Sequence, residues 1–309
     1  APFRCVAAAT EPDGRIASVV VRNVRTGEDA AIAGTFFADC TGDASLAEQA
    51  GAETRWDAEP REDTGEELAP PKGRRSRAGG LGSTNQWYAR DTKERHDFPE
   101  CPWALPVTRD EEALVGAEVG KDWIHSGGWN WESGFYRDPV LEGEAIRDHN
   151  FRAIYGLWDY LKHRSPHRDK YANAEIYWLG YVLGKRDGHR VVGDHVLTAN
   201  EIASGRVFAD GVVNTTWYLD LHFPHPVIAR RFPGEEFRSY SYDDWGWKKL
   251  RDKNWVGWST PIRDYLIPFR CFYSRDVENL FMAGKTISGT YAALSSYRVE
   301  NTTGMMGTA

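Results

Sequence analysis

Residues 36–43 have the sequence Phe-Phe-Ala-Asp-Cys-Thr-Gly-Asp, an apolar run that ends in small and polar residues. The pattern predicts a buried strand, a tight Thr-Gly turn, and then a short helix over Ser45 to Ala52. Because glycine has no side chain to clash, such a turn at the carboxyl end of a strand allows a bound nucleotide to approach the backbone. The alternative is an ordinary strand-to-helix turn with Asp43 near the helix start, and this stretch by itself does not decide between the two.

A second strand and turn of the same kind lies near the other end of the chain. Residues 279–285 have the sequence Asn-Leu-Phe-Met-Ala-Gly-Lys, which predicts a strand that ends in Gly284-Lys285. A loop of small residues follows, and Ser295-Ser296 precede a helix predicted through Arg298 to Met306. The first free N–H groups of a helix carry partial positive charge, so this end of the helix suits an electron-rich ligand. The alternative is a strand–helix unit joined by a polar loop.

Composition and charge exclude several kinds of protein. The chain has 309 residues, enough for two domains, and a net charge of -7 with no basic stripe to neutralise nucleic-acid phosphates. We therefore expect no nucleic-acid partner. The sequence has no apolar run of transmembrane length and no signal-peptide pattern. Its four cysteines are too far apart for a zinc motif or a disulfide framework, which favours free thiols in the cytoplasm.

The first 36 residues and the middle of the chain have different patterns. Turn signals at Pro12-Asp13-Gly14 and at Arg25-Thr26-Gly27-Glu28 predict a three-stranded antiparallel meander that leads into the strand at Phe37. The middle is aromatic and polar, and its clearest helix is predicted from about Pro139 to His163. Alternation predicts a further strand from Trp217 to Phe223. The 13 Trp and 14 Tyr residues indicate a large substrate-facing surface.

The two end motifs, taken together with segments of the middle, resemble the FAD-dependent oxidoreductases of the glutathione-reductase-like flavoprotein class. The middle segments that occur in the order of that family are Trp129 to Gly134, Ile146 to Asp148, Tyr155 to Asp159 and Gly184 to Thr198. The resemblance covers nearly the whole chain. It implies an enzyme that binds FAD and carries out two-electron, hydride chemistry on a small organic substrate at flavin N5. It gives no indication of the substrate, the direction, the electron acceptor or the oligomeric state.

One feature of the family is missing from the sequence. The Gly-x-Gly-x-x-Gly loop that binds the pyrophosphate is expected upstream of Ala1, which leads us to expect that the chain is a fragment. The only glycine-rich candidate, residues 79–85, has the wrong third position and no buried strand before it. We therefore reject it as the phosphate loop.

The resemblance implies an α/β fold with a discontinuous Rossmann-like FAD-binding domain, incomplete at its N-terminus and carrying the β-meander. This domain is expected to consist of residues 1–55 and 262–309, with a mixed α+β substrate domain inserted at 56–261. The residues expected to line the nucleotide, the ribityl chain and the flavin ring are Thr41, Gly42, Asp43, Gly284, Lys285, Leu294, Ser295 and Ser296.

Three residues are candidates for the chemistry. Oxidation of a C–H bond by a flavin often needs a base for an O–H or N–H proton, and histidine is suited to this role at neutral pH. His125 lies between tryptophans in a glycine-rich loop, and His195 follows Arg190 closely; the alternative for each is a structural histidine. Arg186 either recognises a substrate anion or belongs to an ion network, whereas for Arg190 we favour the network.

The residue types by themselves also allow two other functions. A carbohydrate- or ligand-binding protein without catalysis would use the aromatic side chains for stacking. A metal-dependent hydrolase would use His and Asp, and His222 and His225, three residues apart, are the nearest approach to a ligand pair. Prolines beside them disfavour a preformed helical pair, so we expect no metal site. The paired end motifs favour the flavin enzyme over both rivals, since neither rival needs a chain that returns twice to one nucleotide.

Overall fold

The computed structural model describes the chain over residues 2–70, 80–108, 131–240 and 264–309. It shows a mixed α/β protein with small sheets that divides into two compact units. Unit 1 takes its described residues from Ala1–Gly80, Asp187–Leu221 and Tyr242–Ala309, and unit 2 takes them from Leu81–Arg186 and His222–Ser241. These limits differ from the predicted domain boundaries because residues 187–221 join the two ends of the chain in unit 1.

The elements are numbered in chain order. The strands are β1 Phe3–Thr10, β2 Ile16–Asn23, β3 Asp29–Ala33, β4 Phe37–Asp39, β5 Thr54–Arg55, β6 Trp87–Asp91, β7 Ala174–Leu179, β8 Arg190–Val191, β9 Gly211–Thr215, β10 Phe223–Pro224, β11 Ser239–Tyr240, β12 Tyr265–Pro268 and β13 Leu280–Met282. The α-helices are α1 Ser45–Gln49, α2 Arg61–Thr64, α3 Gly143–Asp159, α4 Ala199–Ser204, α5 Pro226–Arg231, α6 Tyr291–Tyr297 and α7 Glu300–Met306.

Unit 1 contains the predicted meander and joins distant parts of the chain. Strands β1, β2 and β3 form the expected three-stranded antiparallel sheet. The middle segment enters this unit through β8, which pairs with β5, and through β9, which pairs with β12. Strands β4 and β13 form a parallel pair that brings the two motif-bearing segments side by side.

Unit 2 is built around α3. The helix was predicted from its apolar spacing, and it continues after Asp159 into a π-helical turn over Tyr160–Arg164. Ile154, Leu157 and Trp158 are buried on one helix face and pack in an apolar core with residues from β6, β7 and α5. The antiparallel pair of β6 and β7 supplies the second layer of this unit.

The predicted strand from Trp217 to Phe223 is wrong, since only its last residue belongs to a strand, the two-residue β10. Backbone carbonyls in this segment bond to side chains instead of to a neighbouring strand. The Ser296 hydroxyl donates to the Trp217 carbonyl at 2.5 Å, and Arg298 donates to the Asp220 carbonyl at 3.2 Å. A short alternating pattern does not reveal such long-range bonds.

The helix predicted near the C-terminus is present as α7, but another helix comes before it. A helix, α6, already begins at Tyr291, where the Thr290 hydroxyl accepts a hydrogen bond from the Ala293 N–H as an N-cap. Leu294, Ser295 and Ser296 therefore lie inside α6, a helix that the sequence did not predict, and precede α7. The chain leaves helical geometry at Val299, and α7 follows. No helix in the described parts of the chain is long and apolar enough to cross a membrane.

Candidate functional site

The turns after β4 and β13 leave the same edge of a parallel strand pair. Phe37, Ala38 and Asp39 lie opposite Leu280, Phe281 and Met282 in register. The Ala283 N–H donates to the Asp39 carbonyl at 3.1 Å, which extends the pairing by one residue. The carboxyl ends of neighbouring parallel strands are the usual place for ligand binding in α/β proteins. The structure thus confirms that the two end motifs meet.

Asp39 fixes the first of these turns. Its side chain is fully buried, and one oxygen accepts hydrogen bonds from the Thr41 N–H at 2.9 Å and the Thr41 hydroxyl at 2.7 Å. The other oxygen accepts from the N–H groups of Leu46 and Ala47, at 2.9 and 3.0 Å. The same carboxylate therefore both caps α1 and fixes the conformation of the turn. No role for Asp39 was predicted from the sequence, although its place at a strand end two residues before Thr41 was the available signal.

Two glycines give the edge its backbone shape. Gly42 has φ of 80° and Gly284 has φ of 117°, a region that residues with a side chain rarely adopt. A Cβ atom placed on Gly284 would meet no atom of the described residues within 4 Å, and one on Gly42 would meet only the Lys285 side chain, at 3.9 Å. Both glycines therefore combine a left-handed backbone with space beside it that a ligand can occupy.

Lys285 connects the two turns with a third segment of the chain. Its ammonium group donates to the Asp187 carbonyl at 2.6 Å and lies 3.5 Å from an Asp43 carboxylate oxygen. Gly188 packs so tightly here that a Cβ atom would lie 2.3 Å from the Lys285 Nζ and 3.0 Å from the Gly42 carbonyl oxygen. Three segments that are far apart in sequence are therefore joined at one positively charged side chain.

A buried ion network lies beside this junction. The Arg190 guanidinium is almost fully buried, at 1% exposure, and lies 3.1 Å from a Glu59 oxygen and 3.3 Å from an Asp187 oxygen. Burial alone would lower the pKa of Arg190, but these two carboxylates outweigh it and raise the pKa. The second Glu59 oxygen accepts from the Tyr291 N–H at the start of α6, at 2.8 Å. Arg190 thus has the structural role that the sequence analysis favoured.

Several buried polar atoms near the loop after Lys285 lack a hydrogen-bond partner among the described residues. They are one oxygen of Glu66 and the hydroxyls of Thr286 and Ser288. The other Glu66 oxygen accepts from the Ala199 N–H at 2.6 Å and from the Thr290 hydroxyl at 2.7 Å. Burial raises the pKa of Glu66. Unsatisfied buried groups are costly, so such a cluster is consistent with a polar ligand that completes it.

Arg186, predicted as a catalytic residue, lies in a buried charge cluster of unit 2. Its guanidinium is 2.7 Å from one Glu132 oxygen, and the other Glu132 oxygen is 2.5 Å from His222 Nδ1. Burial alone would raise the pKa of Glu132, but the charges of Arg186 and His222 outweigh this effect and lower it. Arg186 also donates to the Thr84 hydroxyl at 2.5 Å. Glu132 was not predicted from the sequence because nothing in its neighbourhood signals partners 54 and 90 residues away.

His195, another predicted catalytic residue, does not belong to the same unit as Arg186. His195 belongs to unit 1, where its Nε2 lies 3.1 Å from a Glu201 oxygen and its ring packs edge-on against Phe208. His125 lies outside the described residues. The catalytic roles of all three remain predictions.

Leu294, Ser295 and Ser296, the last three predicted cofactor residues, lie in α6. Their polar groups form hydrogen bonds with other groups of the protein. The Leu294 N–H donates to the Thr290 carbonyl, and the Ser295 hydroxyl donates to the Ala292 carbonyl. The Ser296 hydroxyl bonds to Tyr265, at 2.7 Å, besides its bond to Trp217. Their contact with a cofactor remains a prediction.

The two histidines weighed as metal ligands have other roles in unit 2. His222 is paired with Glu132, and His225 caps α5 by accepting a hydrogen bond from the Val227 N–H at 3.3 Å. Within the described ranges, no group of three His, Cys, Asp or Glu residues is placed to hold a metal ion.

One of the three comparisons with known proteins gives a match. A family model described as FAD dependent oxidoreductase matches residues 3–309, almost the whole chain. No curated protein and no solved structure matches the chain.

Proposed function

The chain belongs to the FAD dependent oxidoreductase family, and from this premise we propose that its FAD binds along the carboxyl edge of β4 and β13. In this proposal the enzyme oxidises or reduces a small organic substrate by two electrons. Bound FAD supplies the chemistry by accepting or giving a hydride at N5. The observation that carries the proposal is the parallel register of β4 with β13, which places Thr41–Asp43 and Gly284–Lys285 at one edge.

The residues at this edge fit the cofactor in three ways. Gly284 leaves open space beside a left-handed backbone, so a flat ring or a ribityl chain can approach closely. Lys285 supplies a positive charge, which suits a phosphate or an anionic reduced flavin. The hydroxyls of Thr286 and Ser288, which have no hydrogen-bond partner among the described residues, are groups that ribityl or ribose hydroxyls can bond.

The edge is held in shape by contacts within its own chain. Asp39 fixes the first turn, Lys285 ties it to Asp187, and the Arg190 network anchors the start of α6. Such preorganisation lowers the entropy that binding has to overcome. We propose that Asp43 orients Lys285, because its carboxylate lies 3.5 Å from the ammonium group.

A matched pair of glycine substitutions tests the proposal. Gly284→Ala and Gly27→Ala each put a side chain on a residue with positive φ, 117° and 78°, and in neither case would the new Cβ meet a described atom within 4 Å. Each should cost about 1 kcal/mol or more of stability from backbone strain. Only Gly284→Ala should also weaken FAD binding, by about tenfold or more, measured by flavin fluorescence on the full-length protein.

The control residue Gly27 lies in the exposed turn between β2 and β3. Equal FAD affinity of the two variants would overturn the placement of the cofactor at Gly284. A full-length protein that shows no flavin absorption and takes up no added FAD would overturn the proposal as a whole.

The carbohydrate-binding alternative rested on exposed aromatic residues, and some are present in unit 2. Tyr88, Tyr177 and Trp178 are 43% to 55% exposed on β6 and β7, and Tyr88 lies 5.2 Å from Trp178 between ring centroids. Since family membership makes the protein an enzyme, this aromatic face is no longer a reason to expect a protein without catalysis.

A further inference from the structure

Unit 2 contains a cavity of about 620 Å³ that the flavin proposal does not use. Its walls are the first half of α3, the segment 133–142 that leads into it, and the turn at 234–236. Cavities of a few hundred to about 1,000 Å³ are of the size that small-molecule ligands occupy. The charges around this cavity indicate which class of ligand fits.

Most acidic side chains of the cavity wall are neutralised by an arginine. The pairs are Glu142 with Arg137 at 2.9 Å, Asp148 with Arg147 at 2.7 Å and Glu235 with Arg152 at 3.0 Å. These ion pairs are partly exposed and have no charge left over for a ligand.

Glu236 differs from these acids. It is buried, at 5% exposure, and it forms no ion pair with any described residue. Its carboxylate accepts hydrogen bonds only from neutral donors among the described residues, the Gly234 N–H at 3.0 Å and the Tyr136 hydroxyl at 3.5 Å. Burial, reinforced by the charge of Glu235, raises the pKa of Glu236. A cation in the cavity would stabilise the buried carboxylate, because it would provide a partner of opposite charge.

Arg137 and Arg152 of the wall are paired with Glu142 and Glu235 and form no ion pair with Glu236 among the described residues. His149 lies on α3 with its Nε2 2.9 Å from the Glu235 carbonyl, and burial lowers the pKa of His149, so its ring is neutral near pH 7. Phe135 and Ile146 of the wall are almost fully buried and offer little surface, whereas Tyr136 is partly exposed and its hydroxyl lies 3.5 Å from a Glu236 oxygen.

We propose that this cavity binds a small protonated amine, whose ammonium group pairs with Glu236. The neighbouring Tyr136 adds an aromatic ring on the same side, and aromatic rings attract cations. A charge-assisted hydrogen bond between the ammonium group and the carboxylate would supply both affinity and orientation.

The test compares two probes of the same shape. Benzylammonium carries the positive charge, and benzyl alcohol is its neutral counterpart. Isothermal titration of the full-length protein should show benzylammonium binding at least about tenfold more tightly, which corresponds to about 1.4 kcal/mol. The Glu236→Gln variant, which keeps an acceptor for the Gly234 N–H, should bind the two probes equally.

Glu94→Gln is the matched control, since Glu94 is an exposed glutamate of the same unit. It should retain the full preference for benzylammonium. Equal binding of the two probes by the unchanged protein, or a preserved preference in Glu236→Gln, would overturn the proposal.

A second measurement does not depend on the folding of a variant. Hydrogen exchange of the unchanged protein should show that benzylammonium, and not benzyl alcohol, protects residues 133–149 and 234–236. Protection elsewhere without protection of these segments would place the amine in another site and refute the assignment to Glu236.

Discussion

Charged side chains inside this protein are compensated by partners that lie far away in the sequence. Arg190 is held by Glu59, 131 residues before it, and Glu132 is held by His222, 90 residues after it. Removal of one partner from such a buried set costs about 3–5 kcal/mol, because the remaining charge stays buried without compensation. An exposed pair such as Arg22 with Asp29, at 2.7 Å, is worth about 1 kcal/mol or less. The stability of the folded protein therefore depends more on these few buried charges than on its exposed ion pairs.

Glu132 makes the stability of the protein sensitive to acid. Burial works to raise its pKa, but Arg186 and His222 lower the pKa below the ordinary value of about 4.3. Such a carboxyl stabilises the folded state above its unfolded pKa, and this contribution is lost as the pH falls through the folded pKa. We therefore expect the free energy of unfolding to decrease below about pH 4.3.

Urea unfolding across a pH series measures this effect. In Glu132→Gln the group that titrates is absent, so the loss of stability in acid should be smaller than in the unchanged protein. The exposed Glu94→Gln variant should follow the unchanged protein throughout. Parallel curves for Glu132→Gln and the unchanged protein would show that another carboxylate causes the loss.

At the scale of elements, the turn after β4 depends on one carboxylate. Asp39→Asn would replace one acceptor oxygen by an NH₂ group, which would face either the Leu46 and Ala47 N–H groups or the Thr41 donors. A buried donor without an acceptor costs about 1–3 kcal/mol. We expect Asp39→Asn to lower the free energy of unfolding by about 2 kcal/mol.

Asp13→Asn is the matched control for this change. Asp13 also accepts a backbone hydrogen bond, from the Arg15 N–H at 3.0 Å, but it lies in an exposed turn between β1 and β2. Its substitution should change stability by less than about 0.5 kcal/mol, since water can satisfy the group. Urea unfolding of both variants checks the prediction, and equal losses would contradict the capping role of Asp39.

The sequence predicted the elements that rest on local pattern. The meander, α3 and the strands at Phe37 and Leu280 follow from turn signals and apolar spacing. The segment from Trp217 was misjudged because a long-range bond from Ser296 replaces strand pairing. Within the candidate site, the two glycine turns were predictable from the local sequence. The junction at Lys285 was not, because its partner Asp187 comes from a third segment with no local signal.

Unit 1 is a composite of the beginning, the middle and the end of the chain. Its β4, β8 and β13 come from these three parts. The turns after β4 and β13 and the turn before β8 meet around Lys285. A ligand at this edge would therefore join segments separated by more than 90 residues each. This arrangement leads to a prediction that no single substitution can test.

Addition of FAD to the full-length protein, freed of its cofactor, should slow amide hydrogen exchange in three segments together. They are 39–43, 187–190 and 284–290, the segments that meet around Lys285. For amides that exchange through opening of this edge, protection should grow with the ratio of free FAD to Kd, to about a hundredfold at 100 times Kd. In Gly284→Ala at the same FAD concentration all three segments should gain less protection. Protection confined to one segment would refute a shared cofactor edge, because a ligand bound there must stabilise every segment that forms it.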